Sequence, residues 1–153
     1  MLHRGEGRTV RALITGISGF VGSHLAEYLL GHTDWQVAGT VYGPEENIEH
    51  LRDRLELYPV ELSELETVTS IIECAKPDYI FHLAAQPLVS LSRRDPWGTM
   101  ANNIRLQLNV LEAVAGLGST ARILVVGSSE EYGLVWPDEL PIKETNPLRP
   151  TSP

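Results

Sequence analysis

Cysteine occurs once in the 153 residues and lysine twice, and acidic side chains outnumber Lys and Arg by 20 to 12. A single cysteine, Cys74, excludes an internal disulfide. It lies in Ile71-Ile72-Glu73-Cys74-Ala75, a stretch of helical pattern, and has only Lys76 as a cationic neighbour. It therefore reads as a packed side chain rather than a reactive thiol. The formal net charge of -8 argues against nucleic acid and anionic membrane as partners, because either would be repelled at long range. A phosphate-bearing ligand must then be held by local dipoles. No apolar run is long enough to span a bilayer, and Met1 to Thr9 carries His3, Arg4, Glu6 and Arg8 without the apolar core of a secretory signal. A cytoplasmic location is the default expectation.

What is present is an alternation of short apolar runs with helix-patterned segments. Arg11 to Thr15 reads as a first strand. Phe20 to Leu30 follows as a helix, with Val21, Leu25, Tyr28 and Leu29 as its apolar face and Gly31 as its C′ residue. Trp35 to Val41 is a second strand, broken by Gly43-Pro44. Glu45 to Arg54 reads as a short polar helix or loop. Leu55 to Val60 is a third strand, which Pro59 places at an edge or at a strand end. Ser63 is expected to cap a helix from Glu64 to Ala75, with Glu66 completing a capping box. Tyr79 to Leu83 is a fourth strand, apolar enough for a buried parallel position. A long helix is expected from about Thr99 to Ala115, with Ile104, Leu108, Leu111 and Val114 on one face, and Arg122 to Val126 is a fifth strand. This pattern predicts an α/β fold with a doubly wound parallel sheet. From Trp136 onward prolines crowd a segment with little periodicity, so 136–153 is expected to be an extended surface loop.

Four stretches carry chemistry. Thr15-Gly16-Ile17-Ser18-Gly19-Phe20-Val21-Gly22 joins the first strand to its helix, where a tight turn exposes backbone N–H groups to a ligand's phosphates. Gly16 supplies the turn, Gly19 the close approach and Gly22 the contact of helix with sheet, while Ser18 can add a hydroxyl. The end of strand two, Thr40-Val41-Tyr42-Gly43, lacks both the carboxylate that binds ribose hydroxyls in NAD sites and an arginine for the 2′-phosphate of NADP. Nothing there repels a 2′-phosphate, which leans toward NADP, although Glu45 or Glu46 folding back would reverse the lean. His82-Leu83-Ala84-Ala85-Gln86 ends strand four, and its small residues let a cofactor lie against the backbone; His82 is assigned no proton transfer. Gly127-Ser128-Ser129-Glu130-Glu131-Tyr132-Gly133 follows strand five, where a hydroxyl can bond a substrate oxygen and a carboxylate can act as a base.

These pieces, in this order, resemble the extended short-chain dehydrogenase/reductase family of nucleotide-sugar epimerases, dehydratases and reductases. The carriers are Thr15-Gly-x-x-Gly-Phe-x-Gly22, His82-Leu-Ala-Ala-Gln86 and the asparagines Asn103 and Asn109. The segments Ser128-Ser-Glu-Glu-Tyr-Gly133, Asp95-Pro-Trp97 and Leu140-Pro-Ile-x-Glu-x-x-Pro-Leu-x-Pro150 look most like the branch of GDP-mannose 4,6-dehydratases and GDP-4-keto-6-deoxymannose reductases. The resemblance implies a Rossmann fold that binds NADP or NAD through Gly16, Ser18, Gly19, Phe20, Val21, Gly22, Leu83, Ala84 and Ala85. It implies a GDP-sugar substrate and a homodimer or homotetramer. It places the catalytic hydroxyl at Ser128, and at Glu130 the base that removes the C5 proton after oxidation at C4. A related 4-epimerase, or a non-catalytic NAD(P)-binding sensor or scaffold, are the alternatives.

One departure stands out. The family's Tyr-x-x-x-Lys pair is absent, because neither Lys76 nor Lys143 has a Tyr four residues before it. Residues 1–153 are accordingly expected to be a truncated dinucleotide-binding domain, inactive alone and without its substrate-binding region. No metal ligands are expected.

Overall fold

The computed structural model describes residues 8–153. The reading of residues 1–9 as lacking a secretory signal thus falls almost wholly outside the described residues. Five strands form one parallel sheet: β1 (Arg11–Thr15), β2 (Gln36–Val41), β3 (Leu55–Pro59), β4 (Tyr79–His82) and β5 (Arg122–Val125). Their order is β3-β2-β1-β4-β5, so the doubly wound sheet expected from the alternating pattern is the one observed. Pro59 stands at the end of an edge strand, where its missing N–H costs no ladder bond.

Alternation along β1 builds the two sides of the core. Leu13 faces a cluster with Ile80, Leu62, Val68, Ile71, Ile72 and Val110, covered by α2 (Leu65–Ala75) and α4 (Pro96–Gly116). Ala12 and Ile14 face the other cluster, with Ile17, Ala26, Leu29, Val37, Ile48 and Leu51. That side is covered by α1 (Phe20–His32) and a 3-10 helix at Glu46–Arg54. No helix among the described residues is long and apolar enough to cross a membrane.

Several local expectations are corrected. Helix α1 runs through Gly31 to His32, and its cap is Thr33, whose Oγ1 donates to the Leu29 carbonyl at 2.7 Å. Its buried face is Gly22, Ser23, Ala26 and Leu29, while Val21 and Tyr28 are exposed. The first turn of the helix lies so close to the loop leaving β1 that a side chain at Gly22 has no room: a Cβ there would stand 2.5 Å from the Gly16 carbonyl oxygen. Helix α2 starts one residue later than expected, at Leu65, with extended Glu64 as N-cap and no side-chain cap, so Ser63 does not cap it. Cys74 is exposed rather than packed, because Ile71, Ile72 and Ala75 hold the inner face of α2.

A short helix, α3 (Val89–Arg94), lies in a stretch with no expected element. Helix α4 begins at Pro96, with the Asp95 carboxylate accepting from the Gly98 N–H at 2.9 Å and proline at the first helical position, where its missing N–H is harmless. The inner face of α4 is Leu106, Asn109, Val110, Ala113 and Val114, with Asn109 Nδ2 donating to the Leu62 carbonyl at 2.8 Å. Of the apolar face read as one stripe, Val114 is buried, whereas Ile104, Leu108 and Leu111 face outward. Beyond β5 the chain makes 3-10 turns at Ser129–Glu131 and Pro137–Glu139 in otherwise irregular backbone.

Candidate functional site: a cleft where the strand order reverses

From β1 the chain steps outward to β2 and β3 on one side, and β4 and β5 lie on the other. The loops leaving β1 and β4 therefore diverge, opening a crevice above the carboxyl ends of the strands. A cleft of about 830 Å³ lies there. Gly16, Ser18, Gly19, Phe20, Val21, Gly22, Leu83, Ala84 and Ala85 all line it. Two segments more than sixty residues apart in sequence thus supply its facing walls.

The glycine loop is anchored from below. Ile17 is fully buried, its side chain lies over Gly39 of β2, and its N–H donates to the Thr40 carbonyl at 3.1 Å. Gly16 turns the chain with a positive φ of 68°, a conformation costly for a residue with a Cβ. Its N–H donates to Thr40 Oγ1 at 3.1 Å. Above this base α1 begins without any side-chain cap. The first amides of a helix have no partner within it and sit at the positive end of its dipole, so they suit a phosphate. The tight turn, the bare helix start and the absence of room for a Cβ at Gly22 fit the pyrophosphate of a dinucleotide.

Thr15 joins the two walls, a role its place in the sequence did not reveal. Its buried Oγ1 accepts from the Leu83 N–H at 3.0 Å and the Ala84 N–H at 3.1 Å, and lies 2.9 Å from His82 Nδ1. With both lone pairs of the hydroxyl occupied, its own proton is the one left for His82, so Nδ1 is the acceptor and Nε2 carries the ring's proton. Burial pushes the His82 pKa below its usual value, in keeping with a neutral imidazole that orders the wall.

Three other residues escaped the sequence reading as shapers of the cleft. Asn47 Nδ2 donates to the Ser18 carbonyl at 2.9 Å, tying the 3-10 helix to the glycine loop. Asn103 brackets Gln86, accepting from its N–H at 2.8 Å and donating to its carbonyl at 3.2 Å. Glu61, beyond the end of β3, lines the cleft together with Glu46. Of these, only Asn103 carried a signal, its resemblance to a family asparagine.

Ser128 and Glu130 do not line this cleft. They lie in the exposed 3-10 turn that follows β5, on the same carboxyl edge of the sheet, where Val125 stands opposite His82 in the register. Ser128 Oγ accepts from the Glu130 N–H at 3.2 Å, which leaves the hydroxyl proton free for an incoming oxygen. Among the described residues, no group of three or more His, Cys, Asp or Glu is placed to hold a metal ion.

Comparison with known proteins places this geometry. A GDP-6-deoxy-D-mannose reductase of Pseudomonas aeruginosa is 35% identical over 146 residues, covering 95% of this chain and 42% of that protein. A UDP-glucose 4-epimerase of Thermus thermophilus, solved with NAD, superposes with a TM-score of 0.79 at 33% identity, covering 94% of this chain and 45% of that one. The structure titled RMD from P. aeruginosa, complexed with NADPH, superposes with a TM-score of 0.73 at 32% identity, covering 94% and 43%. The chain spans about two-fifths of the length of the curated relatives it matches. The fold is thus the Rossmann fold of the epimerases and dehydratases. With residues 13–153 matching the model of the GDP-mannose 4,6 dehydratase family, the chain belongs to that family.

Proposed function

We propose that this chain is the dinucleotide-binding part of an enzyme that performs 4,6-dehydration of GDP-mannose, or reduction of its 4-keto-6-deoxy product. The observation that carries the reading is the convergence of the glycine loop and the Leu83–Ala85 wall on one cleft at the point where the strand order reverses. In this reading the open amides at the start of α1 bind the pyrophosphate, and Leu83, Ala84 and Ala85 form the wall beside the rest of the cofactor. When bound, the nicotinamide supplies hydride transfer.

The chain's own residues supply the polar steps. Ser128, with its hydroxyl proton unengaged, donates to an oxygen of the sugar. The Glu130 carboxylate takes the proton at C5, a position made acidic by a neighbouring keto group. Both stand on the carboxyl edge of the sheet beside β4, which supports a substrate seated at the mouth of the cleft. With no Tyr-x-x-x-Lys pair in the 153 residues, turnover depends on residues beyond this chain, as does the sugar-nucleotide pocket.

Two measurements test the reading. Titration of the chain with NADH, followed by nicotinamide fluorescence, should show saturable binding, whereas GDP-mannose with either nicotinamide nucleotide should show no turnover. In a complete protein, Glu130→Gln should abolish dehydration while sparing nucleotide binding. A 4-epimerase is the second reading, favoured by the likeness to the Thermus enzyme. An epimerase would tolerate Glu130→Gln with little loss.

A further inference from the structure

We infer that the cleft selects NAD over NADP, and that Glu46 and Glu61 make the selection. The inference rests on the reading of the cleft as a dinucleotide site and goes beyond it by naming the cofactor's 2′ substituent. It reverses the lean that strand two alone suggested. The two forms differ in one group, a ribose hydroxyl in NAD against a phosphate monoester in NADP. Such a phosphate carries about 1.5 to 2 negative charges near neutrality and offers acceptors only, so a site that takes it supplies cations.

With pyrophosphate at the glycine loop, the adenosine ribose of a dinucleotide lies toward the end of strand two. Here that end of the cleft is walled by two adjacent segments. Val41 stands opposite Pro59 in the register, and the Val60 N–H donates to the Val41 carbonyl at 2.9 Å, so the segments leaving β2 and β3 run side by side. The first brings Tyr42, Pro44, Glu46 and Asn47 to the cleft, and the second brings Val60, Glu61 and Leu62. The Asn47 bond to Ser18 ties the segment that carries Glu46 to the glycine loop.

Among the described residues, no Lys, Arg or His lines the cleft, whereas two carboxylates do. The basic side chains of the 3-10 helix are all engaged elsewhere. His50 lies 2.6 Å from Glu27, Arg52 pairs with Glu45, and Arg54 donates to the Leu30 carbonyl at 2.7 Å. Glu45, which strand two alone left open as a neighbour of the ribose, is thus spent on Arg52. A ribose hydroxyl can donate to either cleft carboxylate. A 2′-phosphate would meet two like charges and no counterion.

The test titrates this chain with NADH and with NADPH at about 50 mM and about 500 mM salt, using the wild type, the Glu46→Gln/Glu61→Gln double variant and Glu46→Arg. NADH should bind more tightly by about tenfold or more at low salt, as expected for two exposed carboxylates acting on a dianion through water. The ratio should fall several-fold in the double variant and at high salt, and Glu46→Arg should raise NADPH affinity. Equal or tighter binding of NADPH to the wild type overturns the inference and leaves the dinucleotide cleft standing. A preference for NADH unchanged in the double variant overturns the assignment to Glu46 and Glu61. Failure of both nucleotides to bind overturns the cleft reading, and the inference with it. Both glutamates are exposed, so neither substitution disturbs the core.

Discussion

The Thr15 hydroxyl and the His82 imidazole meet at 2.9 Å beneath the cleft, and the same oxygen accepts from the Leu83 and Ala84 amides. Thr15→Val keeps the shape and leaves two N–H groups without a partner, which should cost roughly 2–4 kcal/mol. Thr15→Ser keeps the oxygen and should lose about 1 kcal/mol through the missing methyl. Urea denaturation distinguishes them, and equal losses for the two variants would remove the hydroxyl from this role.

The pH dependence follows from the same pair. His82 has a folded pKa below its ordinary 6.5, so the unfolded chain binds the proton more readily. Its contribution to stability is complete above pH 6.5 and is lost as pH falls from there toward the depressed folded value. His82→Asn keeps an acceptor near the Nδ1 position and cannot titrate. Melting temperatures from pH 8 to pH 5 should decline less steeply in this variant than in the wild type, and parallel curves would contradict the assignment.

Two glycines of α1 should respond oppositely to alanine. At Gly22 the added methyl stands 2.5 Å from the Gly16 oxygen and 2.8 Å from Ile17 Cα. Overpacking there should cost roughly 1–3 kcal/mol and weaken dinucleotide binding as the helix shifts off the loop. At Gly31, inside the helix, the methyl meets nothing within 4 Å. Gly31→Ala should therefore stabilise by about 0.5–1 kcal/mol with binding unchanged. Denaturation midpoints for the pair measure both effects.

That contrast shows where sequence patterning succeeds and stops. All five strands and the glycine turn were legible, because apolar runs bounded by Gly and Pro report directly on burial and breaks. The buried face of α1 was not, and of α4 only the outward stripe was. An apolar pattern marks a helix but does not orient it when the close contact is made by Gly22, Ser23 and Ala26, whose small size matters more than their hydrophobicity. On α4 two apolar stripes compete, and tertiary placement against α2 decides which is buried. Asn47 and Thr15 were illegible for another reason: their partners Ser18 and His82 are brought close only by the folded sheet.

The losing stripe of α4 has its own consequence. Met100, Ile104, Leu108 and Leu111 follow at steps of four, four and three and are 47%, 53%, 48% and 38% exposed. A continuous apolar strip of this kind seeks a partner. Sedimentation velocity should show concentration-dependent self-association, and Ile104→Glu with Leu108→Glu should raise its dissociation constant roughly tenfold or more. A wild-type chain that stays monomeric across the accessible concentration range would count against this.

The segment after β5 is held by a forked ion pair, with Arg149 Nη1 and Nη2 donating to the two Glu139 carboxylate oxygens at 2.9 and 2.7 Å. These bonds hold the Glu139 pKa down to about 2, and Arg149 also donates to the Leu134 carbonyl at 3.0 Å. Because the folded pKa is depressed, this stabilisation is present above the ordinary carboxylate range and is lost as pH falls toward 2. Arg149→Ala should speed proteolysis within 133–149 at pH 7 and leave cleavage elsewhere unchanged. A cleavage pattern identical to wild type would show that the fork does not hold this segment.

Ile17 draws together the two things the molecule does. It belongs to the loop proposed to receive the pyrophosphate, yet it is as deeply buried as any residue of the sheet and is seated over Gly39. The loop is consequently no independent flap. The Ile17 N–H, bonded to the Thr40 carbonyl, can open to solvent only when the interior opens, so its hydrogen exchange should proceed at the rate of global unfolding. Recognition then begins on a surface already shaped, with little ordering entropy left to surrender on association. By the same coupling, a substitution that loosens this side of the interior will register as weakened affinity before any residue touching the ligand has changed.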